Sequence, residues 1–193
     1  MMFFANSLTR VGQAKLSGGA LQWGIPTYTN FSSSGTSALN INECRYVPIR
    51  IDYPITLNAW ELEVTSGPAS AAHLEIGIYL ADNQYQPVGG PLYDSGSIAV
   101  AQSFTGIKSV TGLTVTLGPG VYLVAINCDV AMTLRTFISG SWIIESILGS
   151  TPMIARVSVA QTFGVFPNPG AAWTALTSSA SGLQHFAAWQ WTN

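Results

Sequence analysis

Four stretches between Trp60 and Asn127 carry apolar residues at every second position, and the rest of the chain can be placed around them. Trp60, Leu62 and Val64 alternate with Glu61, Glu63 and Thr65, and Leu74, Ile76, Ile78 and Leu80 alternate with Glu75, Gly77 and Tyr79. A period of two marks a strand with one dry face and one wet face. Ser66, Gly67 and Pro68 lie between these two strands, so the pair predicts a hairpin with a loop. Leu113, Val115 and Leu117 repeat the pattern against Gly112, Thr114 and Thr116. Gly118-Pro119-Gly120 then turns the chain into residues 121–127, which predicts a second hairpin. In 121–126 both alternate sets are apolar, the pattern of a strand covered on both sides, either central in a sandwich or at a subunit contact.

Upstream, Ile49, Ile51 and Tyr53 alternate with Arg50 and Asp52 before Pro54, predicting a first body strand that begins near Glu43. Downstream of Leu80, turn residues dominate: Asp82, Asn83, Pro87 and Gly89-Gly90-Pro91 precede a short apolar segment at 98–101. Met132, Leu134, Thr136 and Ile138 predict a further strand, 141–148 and 153–159 two more, and 183–191 the last. No stretch of ten or more residues keeps a helical period. The chain is therefore expected to be all-β, an antiparallel β-sandwich of jelly-roll type spanning 43–193 as one domain. Residues 1–42 lack this periodicity and are rich in Gly, Ser, Thr and Asn. They read as an extended N-terminal arm, with Trp23, Ile25, Tyr28 and Phe31 as apolar anchors for a neighbouring surface, or as a partly disordered tail.

Composition changes this picture in one respect. At 193 residues the chain is long enough for a single core without disulfides or metals. Only 8% of the residues are charged while 48% are hydrophobic, against roughly 25% charged in ordinary soluble domains. A surface this poor in charge is expected to be covered by other chains, so the protein reads as a homo-oligomer. The net charge of −2 supplies no basic field for nucleic acid, and no run approaches the ~20 apolar residues of a membrane-spanning helix. Met1 to Ala5 are apolar but too few for a signal-peptide core, so no secretion signal is read. Cys44 and Cys128 fit no metal spacing and read as buried free thiols.

Candidate chemistry is sparse. His73 and His185 are the only histidines and have no neighbouring ligand by spacing, so both read as structural. Asp94-Ser95-Gly96 has turn chemistry and lacks the elbow of a serine nucleophile. Glu61 and Glu63 share the wet face of one strand, and two solvated glutamates are favoured over a catalytic pair. Asp82 and Asn83 read as a loop tip, with no acidic loop to complete a calcium shell. An enzyme therefore has no supporting constellation, and neither a cofactor nor a metal is expected. One cluster stands out: Trp173, Phe186, Trp189 and Trp191 gather near the C-terminus. With period two, Trp189 and Trp191 share a face with His185. These tryptophans belong to the subunit's own core or form a glycan or subunit contact; large apolar rings favour the core.

Residues 46–127, about two fifths of the chain, resemble a module of tailed-bacteriophage virion structural proteins found in tail fibres, adsorption knobs and capsid decorations. The resemblance rests on order and spacing. Gly77-Ile78-Tyr79 is similar to the module's Gly-Ile-Tyr strand, and Pro87 with Leu92-Tyr93-Asp94-Ser95-Gly96 to its Pro-Gly and Asp-x-Gly return. Gly106-Ile107-Lys108 is similar to its Gly-x-Lys turn, and Leu117-Gly118-Pro119-Gly120-Val121-Tyr122 with Ala125 to its Leu-x-Pro-Gly-x-Tyr strand. It implies a non-enzymatic virion component, often trimeric, exposed on the particle and sometimes in contact with host glycans. The chain has no heptads, no collagen-like repeat and no shaft ahead of the module. The expectation is therefore a decoration protein on the outside of the capsid, partnered by the major capsid protein, with a receptor-binding knob as the alternative.

Overall fold

A computed structural model describes residues 22–24, 31–51, 54–83, 86–139, 157–168, 170, 183–185 and 188–192. These form thirteen strands and no helix: β1 (Gln22–Gly24), β2 (Phe31–Leu39), β3 (Glu43–Ile51), β4 (Ile55–Ser66), β5 (Ala72–Ala81), β6 (Pro87–Asp94), β7 (Ile98–Val100), β8 (Gly106–Leu117), β9 (Gly120–Cys128), β10 (Met132–Ser139), β11 (Val157–Ala160), β12 (Leu183–His185) and β13 (Ala188–Thr192). They build two antiparallel sheets packed face to face, the expected sandwich. One sheet runs β1-β13-β4-β10-β12, with β2 on β10 and β8 on β4. The other runs β11-β3-β9-β5-β6, with β7 on β5.

The two hairpins read from the alternation are not hairpins. β4 lies in the seven-stranded sheet and β5 in the six-stranded one, and β8 and β9 are divided in the same way. The chain crosses the core at residues 67–71 and again at Gly118-Pro119, so the apolar faces of successive strands meet across the sandwich instead of lying side by side. Alternation locates each dry face, but it is the same whether two dry faces are coplanar or opposed. β5 and β6 do form a hairpin, with Gly77 opposite Asp94 and Ala81 opposite Pro87. Asp82 closes it: its N–H donates to the Gln86 carbonyl at 3.0 Å, and its Oδ1 accepts the Gln86 N–H at 2.8 Å. The stretch around Gly89-Gly90-Pro91, expected as turns, belongs to β6, where the register breaks and Gly89 sits at φ 69°.

β4 begins five residues before its visible alternation. Its register with β8 shifts between Leu57 and Ala59, and Gly112, on the strand opposite, has φ 77°. This bulge reverses which positions face inward, so Ile55 and Leu57 are buried on one phase and Trp60, Leu62 and Val64 on the other. β4 and β10 pair only near Val64 and Leu134 and then part. The last stretch of chain fills the opening, with β12 against β10 and β13 against β4. The single final strand expected at 183–191 is thus two strands with different partners.

Phe31–Leu39, within the stretch read as an arm, is β2. It pairs with β10 from Met132↔Leu39 onward, and Leu39 is fully buried. The run Phe31-Ser-Ser-Ser-Gly-Thr-Ser has almost no apolar alternation, so only its partner's register reveals it as a strand. Trp23 lies in β1, against β13. Ile25 and Tyr28 lie outside the described residues, as does the strand expected at 141–148.

The main core lies between the sheets. β3 gives Val47, Ile49 and Ile51, β5 gives Leu74, Ile76 and Ile78, and β9 gives Val124 and Ile126. These meet Leu57, Trp60, Leu62, Val64 and Leu134 of the opposite sheet. β9 is the central strand of its sheet, flanked by β3 and β5. Its other face carries Leu123, Ala125 and Asn127, all buried as well. The expectation of a strand dry on both sides holds, in its central form.

Candidate functional site

The outer face of the six-stranded sheet would ordinarily meet water. Instead it carries a second apolar cluster of Cys44, Tyr46, Tyr79, Leu123, Ala125 and Phe166, with Val159 and Ala81 at its margin. Five of these six come from three adjacent strands, β3, β9 and β5. Phe166 comes from residues 161–168, which lie across those strands as a strap.

Each end of the strap is held by polar groups of the sheet. Asn127, fully buried on β9, donates from Nδ2 to the carbonyls of Gln161 and Thr162, each at 3.4 Å. The Gln161 N–H donates to the Asn42 carbonyl at 3.1 Å, and Tyr46 Oη donates to Gln161 Oε1 at 3.4 Å. Toward the other end, Tyr79 Oη donates to the Pro167 carbonyl at 2.9 Å, and the Gly170 N–H donates to the Gly89 carbonyl at 2.8 Å. Between these anchors Phe166 packs edge-on against Tyr79, with ring centroids 6.2 Å apart and planes at 88°. Tyr79 in turn meets Tyr46 at 5.8 Å.

Gly77 is what lets the Phe166 ring sit this deep. A Cβ at position 77 would lie 2.8 Å from two ring carbons of Phe166, closer than packed carbons approach. Gly170 is confined in the same way, since a Cβ there would meet Pro87 at 2.6 Å and Tyr79 at 2.8 Å. Gly77-Ile78-Tyr79 therefore has a role for each residue: room for the ring, a core contact, and an anchor for the strap. In the Leu117–Tyr122 motif, Tyr122 Oη donates to the Gly118 carbonyl four residues upstream at 2.9 Å, pinning the crossing between sheets as a tyrosine corner does.

Beneath the strap lies a carboxyl group that the alternation had placed on a wet face. Glu75 is only 3% exposed, and its Oε2 has no hydrogen-bond partner among the described residues. Burial, reinforced by the carboxyl of Asp94 on β6, pushes its pKa up to about 7. The Gly164 N–H opposes the shift. Sequence reasoning missed Glu75 because its cover comes from a segment almost 90 residues away.

The other candidates have structural roles. Ser95 bridges the hairpin return: its N–H donates to the Ile76 carbonyl at 2.9 Å, and its Oγ accepts the Ile76 N–H at 2.8 Å. Gly96 turns at φ 62°. Glu63 is held by Arg135 through two bonds of 2.9 and 3.0 Å, which lower its pKa and keep it ionised, and Glu61 accepts from Ser109 Oγ at 2.8 Å. His73 binds Asp129 through its backbone N–H at 2.6 Å and its Nδ1 at 2.7 Å, and its ring lies 6.2 Å from Phe163 of the strap. Among the described residues no three His, Cys, Asp or Glu side chains come together as metal ligands. Cys44 and Cys128 are buried free thiols on opposite faces of the sheet. Burial pushes each up to about 12, so neither is a ready nucleophile. Trp189 and Trp191 lie in β13, opposite Trp60 and Leu57 of β4, and His185 lies in β12. Trp173 and Phe186 fall outside the described residues.

No family model matches the chain, and no curated protein matches it. Among solved structures it is similar to the clostridial cysteine protease Cwp84 after propeptide cleavage, at 13% identity and a TM-score of 0.48, covering 90% of this chain and 40% of that one. A structure of the cysteine protease and lectin-like domains of Cwp84, a surface layer associated protein of Clostridium difficile, matches at 13% and 0.44, covering 82% and 36%. Infectious bursal disease virus, Gx strain, matches at 6% and 0.30, covering 91% and 36%. The chain spans about two fifths or less of the length of each of these structures.

Two predictions follow from the geometry of the strap and its charges. Gly77→Ala should lower stability by about 1–3 kcal/mol in urea denaturation, because the new methyl displaces the Phe166 ring. In a Phe166→Ala background the same change should cost far less, and an undiminished cost would show that the ring does not occupy that space. The second concerns pH. Burial raises the Glu43 pKa, but hydrogen bonds from Arg45, Ser158 and Asn40 and the charge of Arg45 outweigh it and set it at about 2. Its stabilisation is complete above about pH 4.5 and is lost as pH falls toward 2. Glu75 acts in the opposite sense: its raised pKa means that stability declines as pH rises from about 4.5 through 7, by up to roughly 3 kcal/mol. The stability maximum should lie near pH 4.5 in pH-dependent denaturation. Glu75→Gln should flatten the neutral side of the curve and Glu43→Gln the acid side.

Proposed function

We propose that this protein is a non-enzymatic structural component of a bacteriophage virion, an oligomeric decoration protein on the outside of the capsid. One observation carries the reading. On a chain with so few charges, Ile41 in the turn between β2 and β3, Val88 and Leu92 on β6, Ile107 on β8 and Val165 on the strap stand 46–87% exposed among the described residues. Among the described residues β6 and β8 are edge strands, and they carry three of these side chains. An unpaired strand bearing apolar side chains is a template for association unless another chain covers it. The resemblance of residues 46–127 to the phage module points the same way, because its motif residues are the ones that shape the crossing between sheets and the seat of the strap. The oligomer is a trimer on the strength of that resemblance. Its partners are other copies of itself and the major capsid protein.

Cryo-electron microscopy of particles labelled on this protein tests the reading. Density distributed over the head at regular positions is the expected result. Copies confined to the tail tip would reject decoration and favour the receptor-binding knob, with Trp173, Trp189 and Trp191 as the residues to examine for glycan contact.

A further inference from the structure

Residues 161–168 contain Gln, Thr, Phe, Gly, Val, Phe, Pro and Asn, with no ionisable side chain among them. The strap therefore brings no charge to the face it covers, and below it lies the Glu75 carboxyl. Gly77 is the register partner of Asp94, which puts Asp94 diagonal to Glu75 on the same face of the sheet. Few groups nearby can offset their charge. From β3 comes Cys44, a thiol that burial keeps protonated, together with Tyr46. From β9 comes Asn127, which is neutral and already bonded to the strap. β5 itself contributes Tyr79, whose phenol burial holds protonated, and His73, which faces the Asp129 carboxylate just beyond β9. The strap contributes one backbone N–H, that of Gly164. Arg45 belongs to the opposite side of its strand, with Glu43 and Ser37.

We propose that the strap is a proton-controlled cover, seated while Glu75 holds its proton and lifted when that proton leaves. With that proton in place Glu75 adds no charge to the face, while the part-buried Asp94 accepts the Gly96 N–H at 2.8 Å. Without it, Glu75 puts a negative charge on a face that the strap closes to water, diagonal to Asp94, and the single Gly164 N–H cannot offset its cost. Admitting water is the least costly relief, and among the described residues the strap is the layer that can move without breaking a ladder of strand hydrogen bonds. Its attachments are a few individual bonds and one ring, whereas β3, β9 and β5 are paired along their whole length. Lifting the strap uncovers Tyr46, Tyr79, Leu123 and Ala125, an apolar face several residues wide. The inference concerns the isolated subunit and is independent of its place on a particle.

Hydrogen–deuterium exchange on the full chain at about pH 5.5 and about pH 8.5, corrected for intrinsic exchange, tests this. Peptides covering 161–168 should lose protection by about tenfold or more at the higher pH, while peptides from β9 stay protected at both. Glu75→Gln should hold the strap protected at both values. Asp94→Asn should move the transition to higher proton concentration, because it removes the neighbouring charge that makes Glu75 hold its proton. Equal protection of the strap at the two pH values in the unaltered protein would overturn the proposal. So would a loss in Glu75→Gln matching that of the unaltered protein, or a loss shared equally by β9, which would mark global unfolding.

Discussion

The constraint on which this structure depends is that its central strand, β9, has no wet side. Tyr122, Val124 and Ile126 face the opposite sheet, while Leu123, Ala125 and Asn127 face outward and are also buried. A sandwich of two sheets supplies one cover, on the inside. The second has to come from elsewhere in the chain, and the strap is that cover. The neighbouring strands have compositions that fit it. β3 and β5 place Tyr46 and Tyr79 on the outer face, where a large ring with a hydroxyl at its tip can both fill space and bond a segment that has no strand partner of its own, Tyr46 through the Gln161 side chain and Tyr79 through the Pro167 carbonyl.

This arrangement explains why a carboxylate lies where an apolar or neutral residue would be expected. Glu75 occupies a position that alternation assigns to solvent, and solvent is absent there because the strap has taken its place. A buried carboxyl with an unpartnered oxygen opposes folding whenever it is ionised, and Asp94 beside it adds to that opposition. The same chain handles the part-buried Glu43 differently. Glu43 is met by Arg45 and by hydrogen bonds from Asn40 and Ser158, and its pKa falls. The difference lies in the partners that each face makes available.

Much of the fold was legible in the sequence, since Trp60, Leu62, Val64, Leu74, Ile76 and Ile78 announce their strands and their inward faces. What alternation does not carry is partnership. It read β4–β5 and β8–β9 as hairpins although each pair spans the core, and it missed the start of β4 because a bulge at Leu57/Ala59 inverts the phase. β2 escaped notice because a Ser-rich strand has no pattern of its own. The doubly apolar run at 121–126 correctly signalled a covered strand but did not say what covers it. The strap resembles loop by composition, with Gly164 and Pro167 in it, and only Phe163 and Phe166 hinted that it had a surface to cover. Glu75 was visible as a residue and invisible as a site, because its environment is made by distant chain.

The low charge of the chain and the exposed apolar residues at its edges bear on what surrounds the subunit, whereas the strap bears on what holds the subunit itself together. The account of the latter comes down to whether the Phe166 ring rests on the backbone of Gly77. Proton nuclear magnetic resonance of isotope-labelled protein at about pH 5.5 reads this directly. Nuclear Overhauser contacts between the Phe166 ring protons and the Gly77 α-protons, with those α-protons displaced by the ring current, are the predicted result. Gly77 α-protons at ordinary glycine positions, with no contact to Phe166, would contradict it.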